Sequence, residues 1–233
     1  MIAVIGDIHG CFNTLKELYA QIKAKYSDIE VYSVGDLVDR GNFACETIHF
    51  CISNNIKVCL GNHDFMFLQY FREPFSAMAR VWVYNGHITT INSYKNNPES
   101  LEPHLDFVEK LKLFYNTPDA FVCHAGISKV YRKYFAQYKL DGSHDAFIEK
   151  LLSPDLEKDH SIIWVRDNLI NIGKLQVVGH TRRFETLYEK NSNVYYIDTG
   201  CAYGNKLTAV IVNDNKVIDQ IQVPVFPEDI MQS

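Results

Sequence analysis

Six short apolar runs, each followed within three residues by glycine and by an acid or a histidine, constrain this 233-residue chain more than any other feature. The runs are IAVI (2–5), VYSV (31–34), KVCL (57–60), AFVC (120–123), LQVV (175–178) and VYYI (194–197). Short and rich in β-branched and aromatic side chains, they suit buried strands better than helices. Their sequels are GDIHG (6–10), GDLVDRG (35–41), GNHD (61–64), HAGI (124–127), GHT (179–181) and DTG (198–200). Ligands of open α/β sheets bind beyond the carboxyl ends of the strands. The six runs are therefore expected to deliver their polar residues to one rim.

Between the first three runs the spacing predicts helices. In NTLKELYAQIKAKY, Leu15, Leu18, Tyr19 and Ile22 fall at i, i+3, i+4 and i+7, and CETIHFCISNN repeats the pattern. A strand–helix–strand–helix–strand opening implies parallel pairing. Near the C-terminus, VYYIDTGCAYGNKLTAVIVNDNKVIDQIQV links strand runs through Gly-Asn and Asn-Asp-Asn, which predicts an antiparallel meander. Residues 65–119 and 128–161 read as helical insertions, with Ser143 expected to cap HDAFIEKLL. With no repeat and no Pro/Gly/Ser-rich linker, residues 1–233 are expected to form one α/β domain.

Composition narrows the function classes. The chain is 47% hydrophobic with a net charge of −5, so it has no overall basic footprint for a nucleic acid polymer. No apolar stretch reaches the roughly 18 residues of a membrane span. MIAVI lacks a basic flank and is too short for a signal sequence, so a cytoplasmic location is expected. Six cysteines contain no C-x-x-C pair; buried reduced thiols are expected in place of a zinc ribbon or a disulfide framework.

Taken singly, an Asp after a strand is usually a turn residue, and a lone His is a satisfied core or surface group. His49, His87, His104, His144 and His160 stand in no motif and are read that way. Asp7, His9, Asp36, Asn62, His63, Asp64, His124 and His180 instead occupy glycine-flanked strand ends. Asp7 and His9, two apart on an extended segment, face one side and can share a cation. The two oxygens of Asp36 can bridge two cations, and Asn62, His124 and His180 add one oxygen and two imidazoles. Such a mixed set suits Mn²⁺, Fe or Zn²⁺ better than an all-oxygen Ca²⁺ site. Two cations about 3.5–4 Å apart can polarise a phosphoryl oxygen and activate a water.

As a series in this order, the six motifs resemble the phosphoprotein phosphatase family of calcineurin-like metallophosphoesterases, especially its compact bacterial and phage members. The match runs from residue 6 to residue 200. The resemblance implies an α/β fold, a β-sandwich of mixed sheets flanked by helices, with helical insertions. It also implies two divalent metal ions, Mn²⁺ foremost with Fe or Zn²⁺ as alternatives. Asp7, His9 and Asp36 match the ligands of the first, and Asp36, Asn62, His124 and His180 those of the second. His63 matches the general acid that protonates the leaving oxygen, and Asp64 the carboxylate that orients it. Arg40 in VDRG and Arg166 in IIWVRD match phosphate-clamping arginines, with Asp39 expected to orient Arg40. Leu60 stands before GNHD where many protein phosphatases carry Arg, and some bacterial nucleotide-directed relatives have a leucine-like residue there. In NGH (85–87), His87 replaces a more usual glycine.

Substrate class is less constrained. Beyond the clamp, adjacent cations occur only at Arg132 and Lys133 and at Arg182 and Arg183. That favours a compact phosphate monoester, hence a phosphoserine or phosphothreonine protein. The alternative is a nucleotide substrate, diadenosine tetraphosphate cleaved symmetrically. A nuclease is disfavoured because GHTR places Arg182 where many nucleases of this kind carry a second histidine, and a catalytically dead scaffold because the motif set is complete. Arg132, Lys133, Tyr131, Tyr134 and Tyr138 are expected to belong to an amphipathic cap, with contact to a nucleotide base as the sharper alternative. Oligomeric state leaves no mark in the sequence.

Overall fold

The protein is described from a computed structural model covering residues 1–137, 140–166 and 168–230; Tyr138 lies outside the described residues. The apolar run after Met1 forms β1 (Ile2–Ile5), buried throughout. It leads into α1 (Phe12–Lys25), β2 (Glu30–Ser33), α2 (Ala44–Ser53) and β3 (Lys57–Val58). β1 pairs with β2, and β2 with β3, in parallel, as the alternation of strand and helix requires. Four helices follow: α3 (Asn62–Arg72), α4 (Ala77–Trp82), α5 (His87–Ser93) and α6 (Leu101–Glu109).

The chain then turns back into a sheet through β4 (Phe114–Asn116) and β5 (Phe121–Cys123). The helical insertion expected to run to residue 119 therefore ends before β4. Next come α7 (Arg132–Phe135) and α8 (Asp145–Leu152), and after them β6 (Gln176–Val178), β7 (Leu187–Glu189), β8 (Val194–Tyr196), β9 (Lys206–Asn213) and β10 (Lys216–Pro224). Ser143 does not cap α8. His144 holds the N-cap position, and the Ser143 hydroxyl donates to Asp141 instead.

Two five-stranded sheets result, in the orders β10-β9-β1-β2-β3 and β4-β5-β6-β8-β7. Each is mixed. β9 runs antiparallel to β1, whereas β5, β6 and β8 run parallel with antiparallel β4 and β7 at the edges. The expected C-terminal meander is thus divided, with β8 in the second sheet and β9 in the first. Between them Gly200 and Gly204, at φ 72° and 88°, flank a single 3-10 turn that carries the chain across.

The two-residue period of the strands sorts the core into layers. Ile2, Val4, Tyr32 and Val34 meet Val122, Leu175, Val177 and Ile197 between the sheets. Ala3, Ile5 and Val31 face the other way, in one core with Leu15, Leu18 and Ile22 of α1 and Ile48 of α2. Burying each of these aliphatic helix side chains contributes about 1.5–3 kcal/mol. Tyr19 is partly buried and meets Phe50 edge-on at 5.3 Å, which fixes α1 against α2. All six cysteines are buried free thiols. Among the described residues, no helix is long and apolar enough to cross a membrane.

Candidate metal centre

The strand-end motifs converge because their backbones leave the strands abruptly. His9, Asp36, Asp39, Arg40 and His180 all adopt positive φ, from 47° to 72°, a conformation costing roughly 1–3 kcal/mol for a residue with a side chain. Cross-loop hydrogen bonds hold these turns. His9 N donates to Asp36 O at 2.7 Å, Gly10 N to Leu37 O at 2.8 Å, and Gly41 N to His9 O at 3.0 Å. Two glycines are required by close approach: a Cβ at Gly179 would overlap an oxygen of Asp7, and one at Gly61 an oxygen of Asp36.

Three imidazoles each spend one N–H on a main-chain carbonyl: His9 Nδ1 on Val38 at 2.8 Å, His124 Nδ1 on Val34 at 2.9 Å and His180 Nε2 on Trp164 at 3.0 Å. The tautomers assigned from those bonds leave lone pairs on His9 Nε2, His124 Nε2 and His180 Nδ1. These point inward. His124 Nε2 and His180 Nδ1 are 3.2 Å apart, and each is 2.9 Å from Asn62 Oδ1. Asp36 turns one oxygen to each side, Oδ2 3.4 Å from His9 Nε2 and Oδ1 3.6 Å from His124 Nε2. Donor atoms of Asp7, Asp36 and His124, and separately of His9, Asp36 and His63, lie within 4.8 Å of one another. The lone pairs of His124 Nε2, His180 Nδ1 and Asn62 Oδ1 converge with no proton between them and repel, and a cation removes the repulsion. The residues present therefore fit two metal ions sharing Asp36.

Burial sets the ionisation of these groups. It lowers His180 to about 3, helped by His124, and lowers His9 and His124 as well, keeping all three in the neutral form that binds metal. Burial, with Asp198 and Asp36 beside it, raises Asp7 well above the usual carboxylate range. For Asp36, burial is outweighed by the charge that His124, His63 and His9 gain in acid and by Arg40, which together hold its carboxyl low. Asp198 of the DTG motif, raised by burial to about 6, joins this cluster. The DTG motif marks its position, but nothing local to the sequence assigns its side chain a role.

His63 follows Asn62 at the start of α3, and its Nδ1 lies 2.5 Å from Asp39 Oδ2. Its Nε2 accepts from Arg40 Nη2 at 2.8 Å, and Arg40 Nη1 also contacts His9 Nε2. The orienting carboxylate is therefore Asp39, and the expectation for Asp64 is corrected. Asp64 instead accepts from the amides of Asp36 and Leu37 at 2.8 Å and of Gly61 at 3.1 Å, so it braces the Asp36 loop and the start of α3. Asp39 in turn is held by Trp82 Nε1 at 2.9 Å and Thr90 Oγ1 at 2.8 Å. Neither of those residues stands in a motif. His87 lies with its ring 5.4 Å from that of Trp82, one residue after Gly86, whose carbonyl accepts from Arg40 N at 3.4 Å. Arg166 is exposed, and its charge is felt at His124 and His180.

The sequence matches the family described as calcineurin-like phosphoesterase over residues 1–217. The chain belongs to this family. It is a metallophosphoesterase, a hydrolase, and its two helix-flanked mixed sheets are the fold of that family. The symmetrical bis(5'-nucleosyl)-tetraphosphatase of Actinobacillus pleuropneumoniae serotype 3 is 25% identical over 268 residues, covering 93% of this chain and 97% of the relative. The enzyme of the same name from Haemophilus ducreyi is 28% identical over 261 residues, covering 89% and 93%. A cold-active protein-tyrosine phosphatase from a psychrophilic Shewanella superposes with a TM-score of 0.62 at 17% identity, covering 97% of this chain and 80% of that one. A chain provisionally described as a diadenosine tetraphosphatase does so with a TM-score of 0.60 at 20% identity, covering 97% and 94%.

Proposed function

We propose that this metallophosphoesterase hydrolyses dinucleoside tetraphosphates symmetrically, giving two nucleoside diphosphates. The supporting observation is the end-to-end similarity to relatives bearing that activity in their names, across 93% of this chain and 97% of the relative in the first case. Leu60 agrees with it. Its side chain is buried in the core, so this position contributes no third arginine to grip a phosphoprotein. The nucleotide reading is therefore preferred to the phosphoserine or phosphothreonine substrate expected from the sparse cations of the sequence.

Asp7, His9 and Asp36 would hold one divalent cation and Asp36, Asn62, His124 and His180 the other, with Mn²⁺ the first choice for this oxygen and nitrogen set. Bound there, the pair supplies Lewis-acid polarisation of a phosphoryl oxygen and lowers the pKa of a water. The chain's own residues do the rest. Asp39 fixes the His63 ring so that Nε2 faces the site, where the imidazolium form gives its proton to the departing oxygen. Arg40, whose fork rests on His9 and His63, would turn it to equatorial phosphate oxygens when substrate enters, and Arg166 would add positive charge beside His124 and His180.

The deciding measurement compares diadenosine tetraphosphate with phosphoserine and phosphothreonine peptides in the presence of Mn²⁺. A kcat/KM ratio above about 100, or about 2.7 kcal/mol in the transition state, with ADP as sole nucleotide product, is expected. Faster peptide turnover, or AMP and ATP as products, would overturn the assignment.

A further inference from the structure

Beside the metal centre lies a second basic and aromatic site with no part in holding metal. The chain leaves His180 through Thr181 and lays Arg182 across Gly200. A Cβ at Gly200 would come within 3.1 and 3.2 Å of Arg182 Cδ and Cγ. The Arg182 guanidinium then sits 3.9 Å from the centre of the Tyr203 ring, and the Arg40 guanidinium lies 5.2 Å from the same ring. The phosphate clamp and Arg182, far apart in sequence, thus share one aromatic ring. Among the described residues no carboxylate forms an ion pair with Arg182.

The ring is not a core residue. Tyr203 is 55% exposed and Phe184 78% exposed. With Arg182, Arg183, Thr199 and Asn205 they line a cavity of about 470 Å³. The cavity walls are tied together, because Asn205 Nδ2 donates to Phe184 O at 2.9 Å and to Thr199 O at 2.7 Å. Exposed aromatic side chains next to an Arg182 guanidinium that no carboxylate among the described residues pairs with suit a ligand with a flat base at one end and anionic phosphates at the other. Inorganic phosphate or a small monoester would leave the aromatic faces unused.

We propose that Arg182, Tyr203 and Phe184 form a subsite for one nucleoside half of the substrate. In it Arg182 binds a phosphate next to the one being cleaved, and the base stacks on Tyr203 or Phe184. The subsite rests on the nucleotide assignment above and explains how an active site with a two-arginine clamp gains selectivity for a longer, more highly charged molecule.

The test compares wild type with Arg182→Ala, Tyr203→Ala, Tyr203→Phe and Phe184→Ala, on diadenosine tetraphosphate and on p-nitrophenyl phosphate, which has no nucleoside half. Arg182→Ala and Tyr203→Ala are expected to lower kcat/KM about 10- to 100-fold more on the dinucleotide than on p-nitrophenyl phosphate. Tyr203→Phe, which keeps the stacking face, should restore most of that difference. Equal losses on both substrates would mean that Tyr203 only props Arg40, and would overturn the proposal. A separate arm does not depend on dinucleotide turnover. ADP should inhibit p-nitrophenyl phosphate hydrolysis more tightly than inorganic phosphate does, and Arg182→Ala and Tyr203→Ala should abolish that margin. If wild type fails to cleave the dinucleotide yet shows the ADP margin, the substrate assignment falls and the subsite stands. If ADP binds no better than phosphate, the subsite falls.

Discussion

Asp39→Asn isolates the role of the carboxylate behind His63. Asp39 is fully buried and holds three groups: His63 Nδ1 at 2.5 Å, Trp82 Nε1 at 2.9 Å and Thr90 Oγ1 at 2.8 Å. An asparagine of the same shape can keep its oxygen on Trp82 and Thr90, which places its NH₂ against His63 Nδ1. Two donors then face each other unless His63 takes the other tautomer. That tautomer puts a hydrogen on Nε2, toward the Arg40 Nη2 that now donates to it from 2.8 Å. The substitution therefore removes one charge-assisted hydrogen bond and the carboxylate that fixes the His63 ring. A charge-assisted bond contributes about 1.5–3 kcal/mol, so kcat should fall about 10- to 150-fold. Steady-state kinetics on phenyl phosphate and p-nitrophenyl phosphate separate the causes. The loss should be largest for phenyl phosphate, whose leaving oxygen needs a proton, and smaller for the activated ester. Equal losses on the two esters, or none, would refute the pairing of Asp39 with a proton-donating His63.

Chelation should abolish activity, and Asp36→Asn should do the most damage among the ligand substitutions because its two oxygens face both donor groups; metal content measured on the purified variant, near zero against a loaded wild type, checks this. His104 is buried against the Tyr94 hydroxyl at 2.9 Å, and burial with His49 nearby lowers it to about 4. A lowered histidine keeps its full contribution above its unfolded pKa near 6.5 and loses it as pH falls through 4. Wild type should therefore lose about 2–3 kcal/mol more than His104→Gln between pH 7 and pH 4, by urea denaturation at each pH. Parallel slopes would rule this out. Asp229 takes the amides of Asn13 and Thr14 at 2.9 and 2.7 Å and the Thr14 hydroxyl at 2.6 Å, so it caps α1 from the far end of the chain. Asp229→Ala should cost about 2–4 kcal/mol of unfolding free energy; a change below about 0.5 kcal/mol would mean that water replaces it.

The metal-binding residues were legible because strand chemistry and glycine spacing are local. Apolar runs of four end in short glycine-bearing motifs, and that placed Asp7, His9, Asp36, Asn62, His124 and His180 at one rim as candidate ligands; their division between two cations came from the family resemblance. The family resemblance misled at GNHD, where it pairs His63 with Asp64. Neighbouring residues at the start of a helix point in different directions, so Asp64 turns back to the amides of Asp36, Leu37 and Gly61 while Asp39 reaches His63 from another loop. Trp82 and Thr90, which hold Asp39, come from helices without a motif, and only the packing of α4 and α5 brings them there. The division of the C-terminal strands between two sheets depended on the left-handed turn from Gly200 to Gly204, a conformation that residue type permits but does not demand. The joining of Arg40, Arg182 and Tyr203 is also purely tertiary. Arg40 stands on the loop after β2 of one sheet and Tyr203 in the turn after β8 of the other, and they meet only because both sheets open onto the same rim.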